Sequence, residues 1–237
     1  MASRISYYGG IVTNGLVLNL DAAKLDSYPR TGTLWRDISG NNNNGTLINE
    51  PTFNSDNGGS IVFDEVNDYV DTNYTTPIGT NPFSYCVWFK FTQNQRGSLV
   101  SKRISSNFEQ FSFFIAGDSS GNSFGAKLCI NDYFAPSGRL IITTNNYNDG
   151  LWHYGVATRG SQQAFIYVDG LLQTSSPISI APNLSNSSKL FIGVGGNGLN
   201  PFGLYFNGSI SLSQIYNKQL SASEVLQNYN ATKNRYL

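Results

Sequence analysis

The stretch Ile166-Tyr167-Val168-Asp169-Gly170-Leu171-Leu172 decides the fold class. β-favouring residues run into Asp-Gly and apolar residues run out of it. Asp-Gly supplies the two left-handed positions of a type I′ turn, whose twist matches that of paired strands. The segment therefore predicts a two-residue β-hairpin. Outward from it the period stays at two. In residues 84–92, Tyr85, Val87, Phe89 and Phe91 alternate with Cys86, Trp88 and Lys90. Further short strands are expected at 16–20, 60–63, 69–71, 98–102, 111–116, 126–130, 140–144, 152–159, 190–194 and 210–216. Clusters of Gly, Asn, Asp, Ser and Pro separate them, as in an all-β sandwich or barrel. One helix is expected at 221–231. Ser221-Ala222-Ser223-Glu224 reads as a capping box, with Leu220 and Val225 as a hydrophobic staple and Leu226 and Tyr229 on one face.

Composition narrows the function classes. The 237 residues carry 15 basic and 15 acidic side chains, so the formal charge is zero, and only 13% are charged against about 25% in an average soluble domain. Such a chain lacks the basic footprint of a nucleic-acid binder. With 40% apolar and 14% aromatic residues it can fill a core. Its 28 Asn and 28 Ser account for the scattered Asn-X-Ser/Thr sequons by chance. A neutral surface favours association. Residues 1–10 contain no apolar stretch of signal-peptide length, and no segment approaches the ~18 continuous apolar residues of a membrane span. The expectation is a soluble protein with no membrane insertion, in which residues 1–14 form an N-terminal arm and 15–237 a single domain. Cys86 and Cys129 read as two free, partly buried thiols, with a disulfide as the alternative.

The order of several segments carries a resemblance. Gly15-Leu16-Val17-Leu18-Asn19-Leu20-Asp21, Trp35-Arg36-Asp37-Ile38-Ser39-Gly40-Asn41 and Val62-Phe63-Asp64-Glu65-Val66-Asn67-Asp68-Tyr69-Val70 come first. Tyr85-Cys86-Val87-Trp88-Phe89, Trp152-His153-Tyr154-Gly155, Ile166-Tyr167-Val168-Asp169-Gly170 and Phe206-Asn207-Gly208-Ser209-Ile210 follow, ahead of the helix signal. Over about residues 15–231 the chain resembles the laminin-G-like group of concanavalin A-like lectin/glucanase domains. That resemblance implies a jelly-roll sandwich of two curved antiparallel sheets. The variant with an Asn-rich stretch after Trp35 is similar to domains found in particle proteins of tailed phages, notably marine ones. It implies a virion protein (a capsid decoration, fibre or tail component) that contacts other virion proteins or copies of itself and attaches to host surface glycans. A secreted or cell-surface lectin and a divergent glycoside hydrolase are the alternatives.

Three kinds of site follow from residue chemistry. The glucanase members of the resembled group use Glu-x-Asp-x-x-Glu, and glycosidase chemistry needs two flanking carboxyls. The four glutamates here, Glu50, Glu65, Glu109 and Glu224, have no partner at that spacing, so no catalytic residue is assigned. Glycan binding needs an aromatic platform beside amides. Tyr133, Phe134, Tyr147, Asn197, Phe202 and Tyr205 lie in loops that offer both, the other reading being that these aromatics pack beneath their loops. Calcium takes hard oxygen ligands. Asp64, Asn67, Asp68 and Asp71 cluster in one turn as a candidate set, the other reading being that they satisfy turn backbones. Asp37, Ser39, Asn41 and Asn43 alternate as EF-hand ligands do, but Asn42 stands where that loop requires Gly.

Overall fold

The computed structural model describes residues 9–76, 79–94, 96–103, 110–119, 122–132, 139–177, 187–197, 200–201 and 203–237. The strands, in chain order, are β1 (Leu16–Asp21), β2 (Leu34–Trp35), β3 (Gly45–Ile48), β4 (Thr52–Asn54), β5 (Ser60–Asp64), β6 (Tyr69–Thr72), β7 (Phe83–Lys90), β8 (Gly97–Arg103), β9 (Gln110–Ile115), β10 (Asp118–Ser119) and β11 (Asn122–Ser123). They continue with β12 (Lys127–Asp132), β13 (Arg139–Asn146), β14 (His153–Arg159), β15 (Gln163–Val168), β16 (Leu171–Pro177), β17 (Leu190–Ile192), β18 (Gly196–Asn197), β19 (Asn200–Pro201) and β20 (Asn207–Tyr216). One α-helix, α1 (Ala222–Thr232), follows β20.

Two eight-stranded antiparallel sheets form the body. Sheet A runs β16-β15-β14-β7-β20-β5-β4, with β1 also paired to β20, and sheet B runs β13-β12-β9-β8-β17-β6-β3-β2. The strand β7 shows why the chain folds this way. Phe83, Tyr85, Val87 and Phe89 face the space between the sheets. Cys86 and Trp88 face the other way, into a second apolar cluster. A strand buried on both faces needs apolar residues at both parities, and β7 has them.

The second cluster is the outer face of sheet A covered by the C-terminal segment. Leu220, Val225 and Tyr236 pack there against Trp88, Trp152, Tyr154 and Tyr216. The capping box forms as expected: Ser221 Oγ accepts from the Glu224 amide, and Glu224 Oε2 accepts from the Ser221 amide at 3.0 Å. The staple residues Leu220 and Val225 are both buried. Part of the expected arm joins this layer. Val12 is buried; its amide donates to Asn228 Oδ1 at 2.7 Å, and Tyr216 Oη donates to its carbonyl at 3.0 Å.

The Asp-Gly hairpin is also as expected. Asp169 and Gly170 adopt φ of 52° and 82° between β15 and β16. A Cβ on Gly170 would stand 2.9 Å from Leu226 Cδ1, so a side chain there would push the leucine aside, and the left-handed φ itself favours glycine. The two cysteines are free and buried. A disulfide is excluded by position: Cys86 lies in the cluster outside sheet A and Cys129 in a small cluster with Phe114 outside sheet B, with the core between them. Burial pushes both thiols up to about 12, so neither is a nucleophile at neutral pH. Among the described residues, no helix is long and apolar enough to cross a membrane.

Candidate glycan-binding face

The outer face of sheet B is set by register. Phe191 pairs with Asp71 and with Ser101, Ser101 pairs with Ser112, and Asp71 pairs with Thr46. Cross-strand partners share a face, so these residues form one row turned away from the core, in which Phe191 and Ser101 are themselves buried, while Val70, Val100, Phe111 and Phe113 point into the core. Tyr69, two residues before Asp71, stands on the same outer face and meets Phe191 edge-on at 5.9 Å. Asp71 Oδ2 accepts from Lys189 Nζ at 2.7 Å, and both side chains remain partly exposed. Asp71 Oδ1 is buried without a hydrogen-bond partner among the described residues.

Two backbone bonds hold the residues on either side of Tyr205. The Ser98 amide donates to Leu204 O and the Phe206 amide to Gly193 O, each at 2.9 Å. Phe206 is thereby buried and Tyr205 is left half-buried beside it. Burial, with the charges of Asp71 and Tyr205 close by, raises the Tyr69 hydroxyl above its ordinary value. Tyr69 thus stands beside a neutralised Asp–Lys pair, with Tyr205 near enough to Tyr69 to act on its hydroxyl. Aromatic rings offer stacking surface for a sugar ring, and the ion pair offers both acceptors and donors to hydroxyls. Tyr69 and Lys189 were missed by loop-based reasoning, because Tyr69 lies in a strand and its outward parity is fixed only by the pairing of β6.

The other residues expected from sequence divide. Tyr133, Phe134, Phe202 and the Asn197 side chain lie outside the described residues; the Asn197 backbone pairs with Asn200. Tyr147 is no platform. It is 6% exposed and belongs to the inter-sheet core, held by its amide on Ala126 O at 3.0 Å and by its hydroxyl beside Gln173 Oε1 at 3.2 Å.

The four acidic-turn donors do not form one ligand set. Asp64 Oδ1 accepts from the Val66 amide at 2.8 Å, as an Asx turn does. Asp71 is engaged with Lys189 on the outer face. Asp68 is 4% exposed, on the opposite parity to Asp71, and Asn67 is exposed. Calcium needs six to eight converging oxygens, and among the described residues no three His, Cys, Asp or Glu side chains are placed to hold a metal ion. The Asp37 loop is likewise self-contained. Asp37 accepts from the amides of Asn19, Ser39 and Asn43 at 2.8–2.9 Å and from Ser39 Oγ at 2.8 Å. Asn42, at the position where an EF-hand has Gly, takes a left-handed φ of 58°.

His153 ties two loops together. Its Nδ1 lies 2.8 Å from Asp169 Oδ2 and its Nε2 3.2 Å from Asp149 Oδ1, while Asp169 Oδ1 accepts the Tyr154 amide at 2.8 Å. Burial works to lower the imidazole pKa, but the two carboxylates outweigh it and leave it raised. Burial and the Asp64 charge push the Asp68 carboxyl up to about 6. Both groups hold protons more tightly when folded. Their stabilisation is therefore complete below their unfolded values and lost as pH rises through the folded ones. For Asp68 that loss begins above its ordinary value of 3.8 and is complete by about 6. For His153 it falls above its ordinary value of about 6.5. The melting temperature should fall between pH 4 and pH 8, the lower part of the fall shrinking in Asp68→Asn and the upper part in His153→Gln. An undiminished fall in both variants would contradict this assignment.

A model of the concanavalin A-like lectin/glucanases superfamily, in its laminin-G form, matches residues 63–226. The chain belongs to this family. Among curated proteins no match to the sequence was found. Solved structures share the fold of this concanavalin A-like domain at low identity. The binding domain of Paraclostridial Mosquitocidal Protein 1 is 17% identical with a TM-score of 0.67, over 92% of this chain and 52% of that one. The binding domain of Botulinum Neurotoxin DC, solved with SialylT, is 14% identical with a TM-score of 0.69, over 93% and 52%. Domain 4 of AbnA, a GH43 extracellular arabinanase from Geobacillus stearothermophilus, solved with arabinotriose, is 16% identical with a TM-score of 0.67, over 90% and 98%. The chain spans about half the length of the toxin binding domains it matches, and nearly all of the arabinanase domain.

Proposed function

We propose that this concanavalin A-like domain is a non-catalytic glycan-binding module displayed on the surface of a virion, where it contacts neighbouring subunits and holds host glycans. The observation that carries the glycan reading is the face of sheet B on which Tyr69 meets Phe191 edge-on beside the Asp71–Lys189 pair. The arabinanase domain, which matches this chain nearly end to end and was solved with arabinotriose, supports the same ligand class. The non-catalytic reading is supported by the employment of the glutamates. Glu224 serves the helix cap and Lys218, and Glu65 Oε2 accepts from Asn207 Nδ2 at 3.1 Å. The virion placement rests on the resemblance to phage particle domains and on the zero formal charge, which leaves no net repulsion between adjoining copies.

A glycan array followed by titration tests the binding function. Asp71→Ala and Tyr205→Ala should each weaken binding at least tenfold, about 1.4 kcal/mol, with unchanged melting temperature. An array without a hit at high protein concentration would refute it. Virion placement is tested separately by mass spectrometry of purified particles, from which the chain's absence would rule it out.

A further inference from the structure

A second site lies on the other side of the sandwich. Beside the turn from β14 to β15, an open groove of ≈ 550 Å³ is bounded by that turn, the end of β16 and the link from β20 to α1. This volume is within the range of small-ligand sites, about 300–1,000 Å³. Phe165 and Pro177 supply its apolar surface, Gln162, Gln163 and Gln219 supply side-chain amides, and among the described residues no charged one lines it. Phe165 is half-buried at the edge of the cluster outside sheet A, so one part of its ring is anchored and another is presented.

Gln219 is seated by a missing side chain. A Cβ on Gly160 would collide with Gln219 Oε1 and stand 2.9 Å from its Cδ. The Gln219 amide occupies the space that glycine leaves, with Nε2 at 3.5 Å from the Gln163 carbonyl. That contact is long and weak, which keeps the amide available to a ligand.

We infer that this groove is a second carbohydrate subsite, taking a neutral oligosaccharide whose apolar sugar face rests on Phe165 and whose hydroxyls bond the Gln162, Gln163 and Gln219 amides. The chemistry follows from the lining. The described lining offers amides and an aromatic ring and no counter-ion for a phosphate, a sialic acid or a peptide terminus. Amides both donate and accept, as hydroxyls do, and an aromatic ring beside them suits the apolar face of a sugar. The inference rests on the glycan-binding reading for its ligand class but not for its residues, which share none with the Tyr69–Asp71–Lys189–Tyr205 face. Two sites on opposite sheets would let one domain bridge two glycan chains, so that avidity exceeds the affinity of either site.

The test is NMR titration of the intact chain with arabinotriose, cellotriose and maltotriose. At least one should shift the side-chain amide signals of Gln162, Gln163 and Gln219 in a saturable way. Phe165→Ala should weaken that response at least tenfold. Gly160→Ala, which displaces the flexible Gln219 amide and leaves the backbone in an ordinary conformation, should weaken it several-fold with unchanged melting temperature. Asp71→Ala should leave it intact. No shift with any of the three sugars, or a response that survives Phe165→Ala and Gly160→Ala, would overturn the subsite. A groove response that persists when the sheet-B face shows none would overturn the proposed face and leave the groove standing. Shifts produced only by an anionic sugar or by a peptide would overturn the neutral-glycan assignment.

Discussion

Replacing Trp88 by alanine should destabilise the domain by roughly 3–5 kcal/mol, the usual cost of removing a buried tryptophan. Trp88 is fully buried on the outer face of β7. Its ring stacks on Tyr236 at 4.0 Å and on Tyr229 at 5.8 Å, and approaches Tyr154 at 5.3 Å. Its Nε1 donates to Thr232 Oγ1 at 2.8 Å. The ring is thus the seat on which α1 and the C-terminal residues rest. Urea unfolding should show a lower midpoint, and hydrogen exchange should show early opening of the α1 amides. Trp88→Phe keeps an aromatic ring and loses the N–H, so a smaller loss is expected, with about 1 kcal/mol coming from the hydrogen bond. A Trp88→Ala loss below about 1 kcal/mol would mean that the helix does not depend on this ring.

Arg235→Ala should cost about 3 kcal/mol, the lower end of what is lost when one partner of a buried ion pair is removed. The Asp21 side chain is 3% exposed and the Arg235 side chain 28%. The guanidinium binds the carboxylate through two contacts, Nη1 to Oδ1 at 2.8 Å and Nη2 to Oδ2 at 2.9 Å. Without it Asp21 retains the Ala23 amide at 3.1 Å as a donor, which cannot balance a buried charge. Arg235→Lys should rescue only part of the loss, because an ammonium cannot make the bidentate contact. The double variant Asp21→Asn, Arg235→Ala should be less destabilised than the sum of the single ones, since the two side chains share one interaction. Strict additivity would show that the pair is not coupled in solution.

Much of the fold was legible because its signals are local. A type I′ turn needs two left-handed residues in succession, and Asp169-Gly170 is a pair that tolerates it. A capping box is closed by residues three apart, so Ser221 and Glu224 announce the helix without reference to anything beyond it. The two parities of β7 were visible as well, since each carries its own apolar set. The candidate site was legible in fragments only. Tyr205 and Asp71 were both singled out, one for glycans and one for calcium, and neither expectation joined them. For Tyr147 the Asn- and Asp-rich loop suits a surface platform and a ring packed beneath it equally, and the ring turns inward and fills the core.

Sequence alone determined that this chain is a two-sided β structure closed by one capped helix, because period, turn and cap each depend on residues within a few positions of one another. Tertiary structure alone decided what each outer face carries. The Asp21–Arg235 pair joins residues 214 positions apart. Lys189 reaches Asp71 across 118 positions, and Gln219 settles over Gly160 from a different connection. Such contacts follow from strand order and register. Alternation along a strand says that it has two faces, and only the pairing of distant strands decides what stands beside each one.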